Sequence, residues 1–153
     1  MQNIDVLWID DDISTDSAEI MTRLRHKVTG VKLLTAKTCG ESEKLLKRRP
    51  HPPQCAIVDL IVPQGSWDPN AYHRNPGIEY IKHLRNTYGD KMKILAFTIL
   101  ITPELLAQIT EAGASEAFVK TSTSFVGILR KIKDDLHPVT VKEGQAQRLD
   151  HQV

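Results

Sequence analysis

Five short runs of apolar, β-prone residues recur along the chain, and between them the apolar residues fall at helical spacing instead of strict alternation. The runs are residues 6–9 (VLWI), 31–34 (VKLL), 55–58 (CAIV), 94–97 (ILAF) and 117–119 (AFV). Near-continuous apolar strands must be covered on both faces. That is the pattern of a parallel sheet sandwiched between helices, not of an antiparallel sheet with one wet face. The first helical segment starts at Ile20, carries Met21, Leu24 and Val28, and ends at Gly30. A short second one, 41–47, carries Leu45 and Leu46 and is stopped by Pro50, Pro52 and Pro53. Ile78, Ile81, Leu84 and Tyr88 mark a third, closed by Gly89. Thr102 N-caps the fourth, with Pro103 at its first position and Leu105, Leu106, Ile109 and Ala112 on one side. Ser122, Thr123 or Ser124 caps the last, whose apolar stripe is Phe125, Leu129, Ile132 and Leu136. The expectation is therefore an α/β fold of five strands alternating with five helices.

At 153 residues and 41% hydrophobic content, the chain has material for one core, not two. Twenty basic residues against 19 acidic leave a formal charge of +1, which gives no footprint for nucleic acid or an anionic membrane. Cys39 and Cys55 have no zinc-type spacing and read as buried or free thiols of a reducing compartment. No signal-type segment opens the chain and no run approaches the ~20 apolar residues that span a bilayer, so a cytoplasmic location is expected. Residues 1–137 form the expected domain. Residues 138–153 read as a short tail, too small for a DNA-binding or enzymatic output unit.

The chemistry lies in what ends each run. Asp10 and Asp11, Asp59, Thr98 and Lys120 each stand at the carboxyl end of a different strand-like run. In open α/β sheets ligands bind at that end, where the strand order reverses. For an order of 2-1-3-4-5 the reversal falls between the first and third strands and gathers Asp10, Asp11 and Asp59, flanked by Thr98 and Lys120. Carboxylates at close quarters repel, and a hard cation such as Mg²⁺, which favours a few carboxylates together with water and phosphate oxygens, relieves that repulsion. One Asp is then free to act as a nucleophile toward phosphorus, with Lys120 and Thr98 toward the phosphoryl oxygens. Taken singly these residues have plainer readings: a turn with a capping aspartate for residues 10–12, a structural threonine, a solvated lysine. Their joint placement at four strand ends favours a site.

These stretches, together with residues 57–63 (IVDLIVP), 76–79 (PGIE), 112–114 (AGA) and 118–120 (FVK), resemble the receiver domains of two-component response regulators over residues 4–136. The resemblance implies a flavodoxin-like five-stranded parallel sheet of order 2-1-3-4-5. It implies Asp59 as phosphoacceptor, Thr98 and Lys120 as its catalytic partners, and Mg²⁺ held by Asp10, Asp11, Asp59 and the Ile61 backbone carbonyl. It also implies a histidine kinase or histidine phosphotransfer protein as phosphodonor and a phosphorylation-dependent protein target. It implies no output enzyme activity of its own, and leaves open a homodimer through the last helices. A receiver-like interaction module that works without phosphorylation is the alternative. A haloacid-dehalogenase type of phosphohydrolase would need a second Asp where Ile61 stands.

The chain departs from that family in four places. The loop 63–76 is longer, Ile99 replaces a small residue, Thr121 replaces a proline, and Ala117 stands where an aromatic residue or histidine is usual. Trp67, Tyr72 and His73 in the long loop read as either a small loop core or a partner contact. His26, His51 and His83 read as surface histidines.

Overall fold

The structure is a computed structural model, and it describes residues 3–13, 27–67 and 74–136. Five strands form one sheet: β1 (Ile4–Ile9), β2 (Val31–Ala36), β3 (Cys55–Val58), β4 (Lys93–Thr98) and β5 (Glu116–Val119). Their order is β2-β1-β3-β4-β5 and every pair is parallel, as the sequence leads one to expect. Among the described residues the helices are α1 (Cys39–Lys47), α2 (Pro76–Tyr88), α3 (Pro103–Ala112) and α4 (Phe125–Leu136), with a 3-10 turn at Gly89–Lys91. The helix expected from Ile20, His26, Tyr72, His73, the boundary at 137 and the tail lie outside the described residues, apart from Lys27, which is helical, and Val28, which is a bend.

The side-chain alternation of the strands divides the core in two. Leu7, Ile9, Ala56, Val58, Ile94 and Ala96 face Leu46 of α1, Tyr80, Ile81 and Leu84 of α2, and Ile109 and Ala112 of α3. Ile4, Val6, Cys55, Ile57, Leu95 and Phe97 face Ile128, Leu129 and Ile132 of α4. Neither Cys39 nor Cys55 is in a disulfide, and burial pushes both thiols up to about 12.

Four local expectations need correction. The second helix begins at Cys39, not at residue 41, because Thr38 is its N-cap: Thr38 Oγ1 accepts the Glu41 N–H at 3.0 Å. Leu106 does not join the buried side of α3. Leu105, Ile109 and Ala112, at i, i+4 and i+7, make the contact, and Leu106 faces solvent. On α4 the stripe gains Ile128, while the cap is one of the three expected, Ser124, whose Oγ accepts the Gly127 N–H. His83 is not a plain surface histidine, because its Nε2 lies 2.6 Å from Glu43 Oε1 and its ring packs on Trp67. His51 is exposed.

Candidate functional site

Register sets the site. Ile9 pairs with Val58 and with Ala36, and Thr98 pairs with Val119. The hydrogen bonding runs one residue beyond each strand: Asp10 N donates to Ala36 O (3.0 Å), Asp59 N to Ile9 O (2.9 Å) and Lys120 N to Thr98 O (2.7 Å). Asp10 and Asp59 thereby leave adjacent strands at the same level, on either side of the point where the strand order reverses. Asp10, Asp59 and Thr98 are three of the four buried polar or charged residues among those described. Burying them costs free energy unless partners compensate.

Lys120 is one such partner. Its Nζ lies 2.7 Å from Asp10 Oδ2 and 3.0 Å from Asp59 Oδ2, and reaches 3.8 Å from Asp12 Oδ2. Backbone donors take the other oxygens, Asp12 N to Asp10 Oδ1 (2.9 Å) and Ile61 N to Asp59 Oδ1 (3.1 Å). Burial pushes the Asp10 carboxyl above its ordinary range, against the Lys120 hydrogen bond, and the nearby Asp59 adds to the rise. Burial also works against the Lys120 ammonium, but the hydrogen bonds to Asp10 and Asp59 outweigh it and hold the lysine above its ordinary value.

One ammonium does not balance the acids. Asp10, Asp11, Asp12 and Asp59 each bring a carboxylate oxygen within 4.8 Å of the others. Oxygens on opposite sides of an octahedral Mg²⁺ are separated by about 4.2 Å, so this donor set fits a small, hard, oxygen-seeking cation. Asp12 belongs to the cluster, although the sequence reading placed it only in the turn. Ile61 contributes its backbone N–H to Asp59 and projects its side chain into solvent.

The rim is apolar. Ile61, Ile99 and Leu100 are 68%, 55% and 67% exposed, and with Leu106 they are the only exposed large hydrophobic residues among those described. Gly77, at the start of α2, packs on the exit of β3. A Cβ there would stand 2.5 Å from Leu60 O and 2.7 Å from Asp59 O, so only glycine lets the helix come this close.

No family model and no curated protein matches the chain. Solved structures do. A response regulator receiver domain protein (CheY-like) from Methanospirillum hungatei aligns with a TM-score of 0.65 at 22% identity, covering 88% of this chain and 94% of that one. A two-component response regulator from Clostridium difficile aligns at 0.66 and 16% identity, covering 92% and 100%. The phosphorylated cyanobacterial phytochrome response regulator RcpA aligns at 0.66 and 11% identity, covering 91% and 97%. This chain has the receiver fold. At these identities the likeness establishes the architecture, and the chemistry has to be argued from the site itself. No helix among the described residues is long and apolar enough to cross a membrane.

Proposed function

We propose that the chain is a two-component receiver that accepts a phosphoryl group on Asp59 and signals by docking to another protein. The observation that carries this reading is the placement of Asp59: a buried carboxylate at the strand-order reversal, bonded to Lys120 and set among three further acids. The receiver fold, and the phosphorylated state of one similar response regulator, add to it.

In this reading Asp11, Asp59 and the Ile61 carbonyl, with Asp10 in or beside them, hold Mg²⁺, which offsets the charge of the acids and of the incoming phosphoryl group. An Asp59 carboxylate oxygen forms the bond to phosphorus while the bond from phosphorus to the donor atom breaks. The electron pair leaves with the donor: the imidazole of a phosphohistidine in a kinase or phosphotransfer protein, or acetate from acetyl phosphate. Lys120 turns its ammonium from Asp59 to a phosphoryl oxygen, and the Thr98 hydroxyl serves another. Residues 1–137 form the receiver and residues 138–153 a tail. The setting is cytoplasmic, with no nucleic-acid contact and no output catalysis of its own.

The test is labelling by acetyl phosphate. Wild type takes up phosphoryl with Mg²⁺ and loses uptake to a chelator, and Asp59→Asn takes up none because an amide is not a competent nucleophile. A wild-type protein that stays unlabelled with Mg²⁺ overturns the reading in favour of an interaction module that works without phosphorylation.

A further inference from the structure

The segment that leaves Asp59 is clamped by groups far from the acids. Cys39 N and Gly40 N, at the start of α1, donate to Pro63 O (3.0 Å) and Gln64 O (2.9 Å). A Cβ on Gly40 would stand 1.7 Å from Gly65 O, so the segment lies against bare helix backbone. Gly65 (φ +61°) and Ser66 (φ +63°) then both adopt the left-handed conformation. For Ser66 that costs on the order of 1–2 kcal/mol, and it persists only where surrounding contacts enforce it.

The next residue adds to the contacts from α1. The Trp67 ring meets Tyr80 edge-on at 5.1 Å between centroids and His83 at 5.1 Å, tilted. This platform is itself fixed. Tyr80 is fully buried, its hydroxyl donates to Glu43 Oε2 (2.9 Å) and accepts from Ser42 Oγ (2.7 Å), and Glu43 Oε1 holds His83 Nε2 at 2.6 Å. The chain between Asp59 and Trp67 is therefore held at both ends, by the sheet at Asp59 and by an aromatic anchor on α2. Within it lies the Ile61 N–H bonded to Asp59 Oδ1.

We infer that Trp67 is a positioning residue for the acceptor site, acting through residues 60–66 to set the orientation of the Asp59 carboxylate and the Ile61 backbone. This rests on the reading of Asp59 as phosphoacceptor. The effect assigned to Trp67 passes through the backbone. In-line attack is steep in geometry, and a displacement of about 1 Å costs up to 10²-fold in rate. Releasing the anchor frees the strained Gly65–Ser66 turn and leaves the stretch back to Ile61 to its backbone bonds on α1 and its buried Leu60 and Val62 side chains, so the productive geometry becomes a smaller fraction of the whole. Phenylalanine restores most of the ring contact with Tyr80 and His83 and so restores the rate.

The experiment uses the full chain, acetyl phosphate and Mg²⁺, with uptake measured over a range of acetyl phosphate concentrations. Trp67→Ala is expected to lower the maximal uptake rate about tenfold, with its half-saturating donor concentration little changed. Trp67→Phe is expected to stay within about twofold of wild type. Circular dichroism and thermal unfolding establish that each variant is folded at the assay temperature. If Trp67→Ala lowers Tm but labels at the wild-type maximal rate, the residue is only structural and the inference is overturned. A Trp67→Phe protein as slow as Trp67→Ala also overturns it, since ring packing is then not what matters. Should Trp67→Ala fail to fold, Trp67→Leu, which keeps apolar bulk but no ring to meet Tyr80 and His83, takes its place: slower uptake supports the inference and an unchanged rate overturns it. Wild type that takes up no label at all is the failure of the phosphoacceptor reading, and is told apart in the same experiment.

Discussion

Among the described residues two polar clusters form around buried groups, one around Asp10 and Asp59 at the carboxyl ends of β1 and β3 and one around Ser42 and Tyr80 between α1 and α2. In the second, every group has a matching partner: Ser42 donates to Tyr80, Tyr80 to Glu43, and Glu43 is paired with His83. In the first, four carboxylates crowd around a single lysine. A satisfied network stabilises and specifies a packing arrangement. An unbalanced one leaves free energy to be gained by whatever brings the missing charge. The contrast separates a cluster that holds the fold together from one suited to binding, and it does so without reference to any relative.

Breaking that contrast has its largest effect on the acidic side. Asp11→Asn removes charge from a site that depends on it, and Mg²⁺ affinity is expected to fall on the order of tenfold or more, read in a titration of Trp8 fluorescence. An unchanged affinity would remove Asp11 from the metal site.

The apolar rim comes next. Hydrolysis of an aspartyl phosphate needs a water in line with phosphorus, and neither Ile61 nor Leu100 can hydrogen-bond one. The phosphorylated state is expected to be long-lived, and the double variant Ile61→Asn, Leu100→Glu to decay several-fold faster. Both side chains are exposed, so the fold tolerates the change. A decay rate equal to wild type would assign control of access elsewhere.

On the balanced side the direct effect is on stability, and chemistry is touched only where the ring contact with Trp67 is lost. Tyr80→Phe keeps the ring but strands the Ser42 hydroxyl and removes a donor from Glu43. The expected cost is about 1–3 kcal/mol in urea unfolding, with acetyl phosphate uptake within about twofold of wild type because the ring that meets Trp67 is kept. A variant that loses uptake but not stability would reverse the roles of the two clusters.

The smallest effect is in the acid limb of stability. Burial alone would push the Glu43 carboxyl up, but hydrogen bonds from His83 and Tyr80 outweigh it and hold it below the ordinary range. A carboxyl depressed in the folded state stabilises the protein above its unfolded pKa, and that contribution is lost as pH falls through the folded value. Thermal unfolding of Glu43→Gln is therefore expected to be less steep with pH than wild type below about pH 5, the wild-type advantage shrinking as acid is added. Parallel pH curves would contradict it.

Much of this contrast was legible in the sequence, and unevenly so. The acidic site could be read because its members sit where strands end, and the end of an apolar run is visible in one dimension. The strand order came with the resemblance to receivers, and with it the meeting of Asp10, Asp59 and Lys120 could be expected. The second cluster could not be read. Ser42, Glu43, Tyr80 and His83 come from two helices, and only packing brings their polar tips together, so His83 passed for a surface residue. Tyr80 lay off the apolar stripe inferred for its helix, yet it is fully buried. Trp67 was left between two readings because nothing local says where a loop aromatic docks. Asp12 joined the acids through the tightness of the turn after β1, which spacing alone does not fix.

Locating the phosphoryl group is the most direct test of the central claim. Borohydride reduces an aspartyl phosphate to homoserine, leaving a permanent mark at the residue that carried it. After acetyl phosphate and Mg²⁺, reductive trapping and peptide mass spectrometry, homoserine is expected at position 59 and absent at 10, 11 and 12. Homoserine at one of those three positions, or at none of the four, would contradict the account.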